Sequence, residues 1–136
     1  MKLPNNIKQY PTYFKHLPIS NKGFTTLVGK TIYLSKDIIS DLKTADPKPM
    51  SVAVLLHQQV HAKDASLWKM LKYIFIKDFR IHEEITAYSV MFHYLKEQHQ
   101  TFDFDHAAKD FSNARYLWMT TLNDGKELLI RIWNNA

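Results

Sequence analysis

The spacing of hydrophobic and polar positions changes near residue 49 of the chain. Upstream, residues 24–34 (FTTLVGKTIYL) are rich in Thr, Val, Ile and aromatic residues, and Val28-Gly29 in their middle predicts a short hairpin or a bulged strand. Residues 1–20 carry three prolines and predict an extended N-terminal arm. Downstream, the apolar positions recur at helical spacing. We therefore expect an α+β fold, mainly α, with a small β-sheet or hairpin preceding the helices.

Most of the predicted helices have a recognisable start or end. Ser35 is suited to cap a short helix, and Asp103 or Asp105 to cap another. The triplet Asn123-Asp124-Gly125 predicts a break before a last amphipathic segment. The expected helices are a short one after Ser35, one from Pro49 or Ser51 to Lys63, one over 67–78, one over 81–98, one or two after the Asp cap, and one from residue 126.

Two interpretations compete for residues 67–79 (LWKMLKYIFIKDF). This segment could form a helix that lies in the interface of a membrane. It could also pack its apolar side on the core while its lysines extend along the edges. We favour the core-packing helix.

Composition narrows the class of protein. With 136 residues, 46% hydrophobic and 23% charged, the chain has the composition of one globular domain, spanning 1–136. The formal charge of +5 is scattered rather than clustered, so we expect no nucleic-acid partner. Cysteine is absent, so a metal would have to be bound by His, Asp or Glu.

The chain shows no targeting or membrane signal. The N-terminal residues lack the apolar segment of a secretory signal. No apolar run approaches the roughly 20 residues that a transmembrane helix needs. A cytoplasmic location is the default expectation.

Two histidines stand four residues apart in VLLHQQVHAKD, residues 54–64. Residues at this spacing share a helix face about 6 Å apart, so His57 and His61 can bind one tetrahedral Zn²⁺. Their hydrophobic neighbours would bury both side chains, and buried imidazoles need partners for their nitrogens, which a metal provides. The alternative is a pair of core histidines bonded to backbone carbonyls.

A third ligand is expected on the helix over 81–98. Glu84 shares a face with an apolar stripe that must face the core, and a carboxylate there needs a cation. Glu83 is a less buried alternative, and both acids could instead stabilise a first helical turn through its dipole. We expect His57, His61 and Glu84 to hold one zinc with water in the fourth position.

This pattern resembles the gluzincin zinc metallopeptidases, and more particularly the small single-domain minigluzincins. The resemblance rests on His57, His61 and the run Glu84-Ile85-Thr86-Ala87, and covers roughly residues 24–98. It implies a zincin-like fold, in which a small sheet precedes the active-site helix and a glutamate helix follows. It also implies hydrolysis of a peptide or protein substrate bound in extended form along the edge of the sheet.

The family's general base is absent. Gln58 stands where these enzymes have the glutamate that accepts a proton from the attacking water, and an amide cannot exchange that proton. We therefore expect the chain to be inactive as it stands. Three explanations stay open: a deliberate Glu→Gln exchange, a natural pseudo-peptidase that keeps its metal, or histidines that bind no metal. We favour the first; the competing function is a non-catalytic helical binding module.

Further roles are less specified. Peptidases of this kind place a Tyr, His or Arg beside the oxyanion that develops during the reaction. Asp64 could accept a hydrogen bond that orients an imidazole, or it could be a solvent-exposed residue at the end of its helix. The Pro-rich arm over 1–20 could block the substrate groove or form a strap behind the core, which we favour. Self-association stays open. The candidates for the oxyanion role are Tyr116, His93, His106 and Arg115.

Overall fold

The computed structural model of the chain describes residues 3–11, 30–113 and 116–136, and the backbone of 23–25. Within these ranges the chain forms three strands and six helices. The predicted α+β fold, mainly α, is confirmed. The elements in chain order are β1 (Ile7–Gln9), β2 (Gly23–Thr25), β3 (Ile32–Leu34), α1 (Lys36–Leu42), α2 (Pro49–Lys63), α3 (Leu67–Phe75), α4 (Lys77–Glu97), α5 (Phe104–Phe111) and α6 (Leu122–Asn135).

The three strands form one small sheet with β3 in its centre. β2 pairs antiparallel with β3, as the predicted hairpin requires, and the predicted turn at Val28-Gly29 lies outside the described residues. β1 pairs parallel with β3, so the N-terminal arm contributes a strand. The remainder of the arm, 12–20, lies outside the described residues, and its role as a strap or a block stays a prediction.

The sheet and α1 position α2. Ile32 and Leu34 of β3 are buried, and β2 and β3 both pack against this helix. The backbone N–H of Lys48, just before the helix, donates to the carboxylate of Asp41 in α1 at 2.9 Å. Pro49 occupies the first helical position, where its missing N–H would have had no partner. The helix runs from Pro49 to Lys63, as predicted.

α4 packs along α2 and carries the predicted buried stripe. Its start at Lys77 is earlier than the predicted Ile81, and α3 ends at Phe75 rather than Asp78. The two helices are separated by Ile76 alone, whose backbone is extended. Arg80 and Phe92 of this helix are buried, and so are all five residues predicted to form the stripe: Glu84, Ala87, Tyr88, Met91 and Leu95.

The core-packing interpretation of α3 is wrong, because none of its residues is fully buried and its large apolar side chains are exposed. Trp68 is 67% exposed and Phe75 is 78% exposed. The polar side of the helix turns inward instead, where the ammonium of Lys69 lies 2.7 Å from the carboxylate of Glu83 in α4. Its apolar stripe therefore faces solvent. Among the described helices, none has the length and apolarity needed to cross a bilayer.

Two helices complete the C-terminal part. Asp103, rather than Asp105, caps α5, and Thr121 caps α6. The predicted break at Asn123-Asp124-Gly125 is wrong, since these residues form the first turn of α6. Gly125 lies close to α5 and to Thr120: an added Cβ would stand 2.6 Å from the Thr120 Oγ1 and 3.4 Å from the Phe111 Cβ. This glycine permits close approach rather than a chain break.

Candidate metal site

α2 and α4 bring the three predicted ligands together in the interior. His57, His61 and Glu84 are 5%, 8% and 1% exposed. The Nε2 atoms of the two imidazoles lie 3.3 Å apart. Glu84 Oε1 lies 3.3 Å from the His61 Nε2, and Glu84 Oε2 lies 3.5 Å from the His57 Nε2. Among the described residues, this is the group of His and acidic side chains whose donor atoms converge as metal ligands do.

These separations fit a tetrahedral zinc. With zinc–ligand bonds of about 2.1 Å, two ligands of a tetrahedron lie about 3.4 Å apart. The two Nε2 atoms are 3.3 Å apart, close to that edge, and each of them lies 3.3 or 3.5 Å from a different oxygen of the Glu84 carboxylate. One ligand atom from each of the three residues lies within 4.8 Å of the others. Two imidazoles and a carboxylate are also a donor set that zinc accepts without any thiolate. The residues present therefore fit the metal.

The three side chains of the cluster shift one another's pKa. Burial raises the pKa of Glu84, but the imidazoles of His61 and His57 hold it well below its ordinary value. Burial lowers the pKa of His57. Burial also acts to lower the pKa of His61, but Glu84 and Glu83 raise it to about 9. Without metal, the cluster thus pairs the Glu84 carboxylate with a proton on His61, and a bound metal would displace that proton.

The two carboxylate oxygens of Glu84 differ in their hydrogen bonding. Oε1 accepts a hydrogen bond of 2.6 Å from the hydroxyl of Tyr73 in α3. Burial and the Glu84 carboxylate raise the pKa of Tyr73 well above its ordinary value, so the phenol keeps its proton and donates. Oε2 is buried without a hydrogen-bond partner, and so is the Nδ1 of His57. A buried carboxylate oxygen in that state is one that a cation would satisfy.

Glu83, the alternative ligand, lies beside the cluster rather than in it. Its Oε2 is 2.7 Å from the Lys69 ammonium and 3.9 Å from the His61 Nδ1. The second distance exceeds a hydrogen bond. Glu83 therefore stands behind His61, on the side of the ring away from Glu84.

Two further tyrosines lie near the cluster, and one of them, Tyr88, borders His57. The ring of Tyr88 in α4 meets the His57 ring edge-on, with centroids 4.6 Å apart. Tyr88 is in turn hydrogen-bonded to Tyr116. Burial raises the pKa of both phenols, so both keep their protons. Tyr116 is thus the proposed oxyanion candidate that contacts a neighbour of the cluster.

The remaining predicted residues lie elsewhere or outside the described chain. His93 is exposed and pairs with Glu97 on α4 at 3.4 Å, and His106 is exposed near the start of α5. Asp64 is exposed at the C-terminal end of α2. Arg115 is outside the described residues. Gln58, next to His57, is buried at 7% exposure.

Sequence reasoning missed Tyr73, Lys69 and Arg80. Lys69 and Tyr73 are four residues apart on α3, on the side away from its apolar stripe, and this pairing was the available signal. The signal was overlooked because the apolar side of the helix was expected to face the core. Arg80 donates to the backbone carbonyls of Tyr73 and Ile74 in the last turn of α3. This contact depends on where α3 ends, and the local sequence does not mark that end with Gly or Pro.

Comparisons of the chain with protein-family models, with curated proteins and with solved structures each find no match.

Proposed function

We propose that this chain is a zinc-binding domain of the metallopeptidase type, with His57, His61 and Glu84 as ligands and with hydrolysis silenced by Gln58. The observation that supports it is the convergence of two imidazole nitrogens and a buried carboxylate, with one ligand atom from each residue within 4.8 Å of the others. A zinc ion held there would supply a Lewis acid that activates water.

Three protein ligands are the number that catalytic zinc sites use. Structural zinc sites are closed by four protein ligands, whereas catalytic ones leave a position open. No fourth His or acidic side chain joins the three donors among the described residues. The site therefore has the composition of a catalytic one.

Gln58 is the reason to expect no proton transfer at this site. It follows His57 directly on α2 and is buried beside the cluster. Its amide can hydrogen-bond a water molecule but cannot take up and release a proton. General acid–base catalysis contributes about 10²–10⁴-fold, and that share is missing while residue 58 is glutamine.

An extended peptide is the proposed substrate. β1 and β2 lie at the two edges of the sheet, and β2 packs against α2, which carries both histidines. A peptide could add to the β2 edge by backbone hydrogen bonds, as extended peptides do on exposed sheet edges. Its scissile carbonyl would then lie near the helix that carries the metal ligands.

Metal content is the first test. Protein purified without added metal is expected to contain about one zinc per chain by elemental analysis, because three buried donor side chains of the kind that zinc prefers already converge. Absence of zinc, together with failure to take up added zinc, would contradict the proposal at its base.

Restoring the base is the second test. In the Gln58→Glu variant, zinc content should stay unchanged, and hydrolysis of an unfolded protein should rise at least about 100-fold over the glutamine form. A metal chelator should abolish it. Gln59→Glu is the matched control, because it places the same acid on the neighbouring exposed position of α2 and should give no gain. If the Gln58→Glu variant binds zinc but cleaves no protein, the peptidase part of the proposal is wrong and the chain is a metal-binding scaffold.

A second candidate rests on one observation. The Tyr73 hydroxyl, the Glu84 carboxylate and the His61 imidazole contact one another without a metal, at 2.6 and 3.3 Å. Such a set could be a buried structural network in a non-catalytic helical binding module. Under this alternative, neither the chain nor its Gln58→Glu variant would bind zinc.

A further inference from the structure

Two side chains of α4 bind Tyr73, one at its hydroxyl and the other at its backbone carbonyl. Its hydroxyl donates to the Glu84 Oε1 at 2.6 Å, and its backbone carbonyl accepts from the Arg80 Nη1 at 2.5 Å. Arg80 and Glu84 are four residues apart in α4, so both project from the same side of that helix. A single helical face therefore fixes the position of Tyr73 relative to the carboxylate.

We propose that Tyr73 is a positioning residue that reserves Glu84 Oε1 for its hydroxyl and leaves Oε2 as the single oxygen that binds the metal. This inference rests on the proposed zinc site. It assigns a role to a side chain on α3, a helix that supplies none of the three ligands.

The hydrogen bonds of the carboxylate support this division. A phenol that donates to a carboxylate at 2.6 Å makes a short, charge-assisted hydrogen bond. The other neighbour of Oε1 is the His61 Nε2, at 3.3 Å, which would itself be a ligand of the metal. Oε2 is buried, lacks a hydrogen-bond partner, and faces the His57 Nε2 at 3.5 Å. A metal ion would thus bind the carboxylate oxygen that the protein leaves without a hydrogen-bond partner.

Arg80 explains why Tyr73 can hold this position. Its side chain is 5% exposed, and its Nη1 also lies 3.1 Å from the carbonyl oxygen of Ile74. It therefore satisfies two carbonyls in the last turn of α3, which a helix end leaves without intrahelical partners. The guanidinium carbon also lies 5.9 Å from the centre of the Tyr73 ring.

Packing alone would not fix Tyr73. No residue of α3 is fully buried, Tyr73 itself is half-buried, and the large apolar side chains of the helix face solvent. The described polar contacts that join the helix to α4 are those of Tyr73, Arg80 and the Lys69–Glu83 ion pair. Removing one hydroxyl should therefore act on the metal more than on the core.

The test uses Tyr73→Phe, which removes the hydroxyl and keeps the ring. Cobalt(II) replaces zinc as the probe, because its visible absorption is strong in four-coordinate sites and weak at higher coordination numbers. The unchanged chain should give the strong four-coordinate spectrum. In Tyr73→Phe the freed Oε1 can join Oε2 on the metal, so the visible bands should weaken. Affinity for zinc, measured by competition with a chromophoric chelator, should fall about 10–100-fold, as loss of a ligand-orienting partner usually gives.

Tyr94→Phe is the matched control, because it removes a phenol hydroxyl from α4 outside the cluster, and it should leave the spectrum unchanged. If Tyr73→Phe does not fold, Arg80→Lys serves the same test, since lysine cannot reproduce the guanidinium fork on two carbonyls. A spectrum of the folded variant identical to that of the unchanged chain would overturn the role of Tyr73. Failure of the unchanged chain to bind cobalt or zinc would overturn the proposed function instead.

Discussion

Glu83 and Glu84 are adjacent in sequence, yet the fold gives them different surroundings. Glu84 is 1% exposed and lies among the two imidazoles and Tyr73. Glu83 is half-buried and lies against Lys69. Side chains that follow each other in a helix point about 100° apart, so one can face the interior while the other lies at its edge.

The first prediction at this scale compares Glu84→Gln with Glu83→Gln. Glu84→Gln keeps the shape of the side chain but removes its charge, so zinc should be lost on dialysis. Glu83→Gln leaves the three donor atoms in place and should keep one zinc per chain, with affinity reduced by no more than about 100-fold. Elemental analysis of both dialysed proteins gives the answer, and circular dichroism checks that both fold. Zinc loss confined to Glu83→Gln would show that the wrong glutamate has been assigned.

The three candidate ligands were open to prediction because they belong to two local patterns. Two histidines at helical spacing, and a glutamate heading an apolar stripe, can each be recognised within a single helix. Tyr73 could not be found in this way, since its contact with Glu84 depends on the angle between α3 and α4. The sequence pattern shows which side of a helix faces the core, but it does not show how that helix packs on its neighbour.

At the scale of elements, the boundary between α3 and α4 is the clearest departure from expectation. Residues 67–98 contain neither Gly nor Pro, and local propensity would allow one longer helix or a break at several places. The extended backbone of Ile76 ends α3, and Arg80 binds the carbonyls that this ending exposes. A tertiary contact thus accompanies a boundary for which the local sequence carries no signal.

At the start of α6 the sequence predicts a break where the structure has a continuous helix. Asn-Asp-Gly is a frequent turn sequence, but here Thr121 accepts from the Asp124 N–H at 3.2 Å and caps a helix that includes all three residues. Gly125 is retained in the helix because α5 and Thr120 leave no room for a side chain. The sequence correctly marks this glycine as a special position, but the glycine allows close helix packing rather than a chain break.

The second prediction concerns this glycine. In an open helix, Gly→Ala would stabilise by up to about 1 kcal/mol. At residue 125 the new Cβ would stand 2.6 Å from the Thr120 Oγ1, and such overpacking costs about 1–3 kcal/mol. Gly125→Ala should therefore lower the free energy of unfolding, measured in urea, by about 1 kcal/mol.

Thr120→Ala provides the control, because it removes the atom that the new Cβ meets. The Thr120 Oγ1 is buried without a hydrogen-bond partner, so its loss alone should change stability little. Combined with Gly125→Ala, it should restore much of the lost stability, since the two positions are in contact and not additive. A stabilised Gly125→Ala single variant would mean that α5 and α6 yield to the added methyl group.

At the scale of the whole molecule, the cluster lies where two parts of the fold meet. α2 packs against β2, β3 and α1, whereas α4 packs against α3 and α6. Two of the ligands belong to α2 and the third to α4. A metal bound to all three would join the part of the chain built on the sheet to the part built on α4. Metal binding should therefore be coupled to global unfolding rather than to fraying of one helix.

The last prediction measures this coupling by heating the protein with zinc or with a chelator. A ligand present at 100 times its Kd stabilises the folded state by about 2.7 kcal/mol, provided that the unfolded chain does not bind it. For a domain of this size, that corresponds to a rise in Tm on the order of 10 °C. The zinc-dependent rise should vanish in Glu84→Gln and persist in Glu83→Gln. Equal melting temperatures with zinc and with chelator would mean that the three side chains form a structural network and hold no metal.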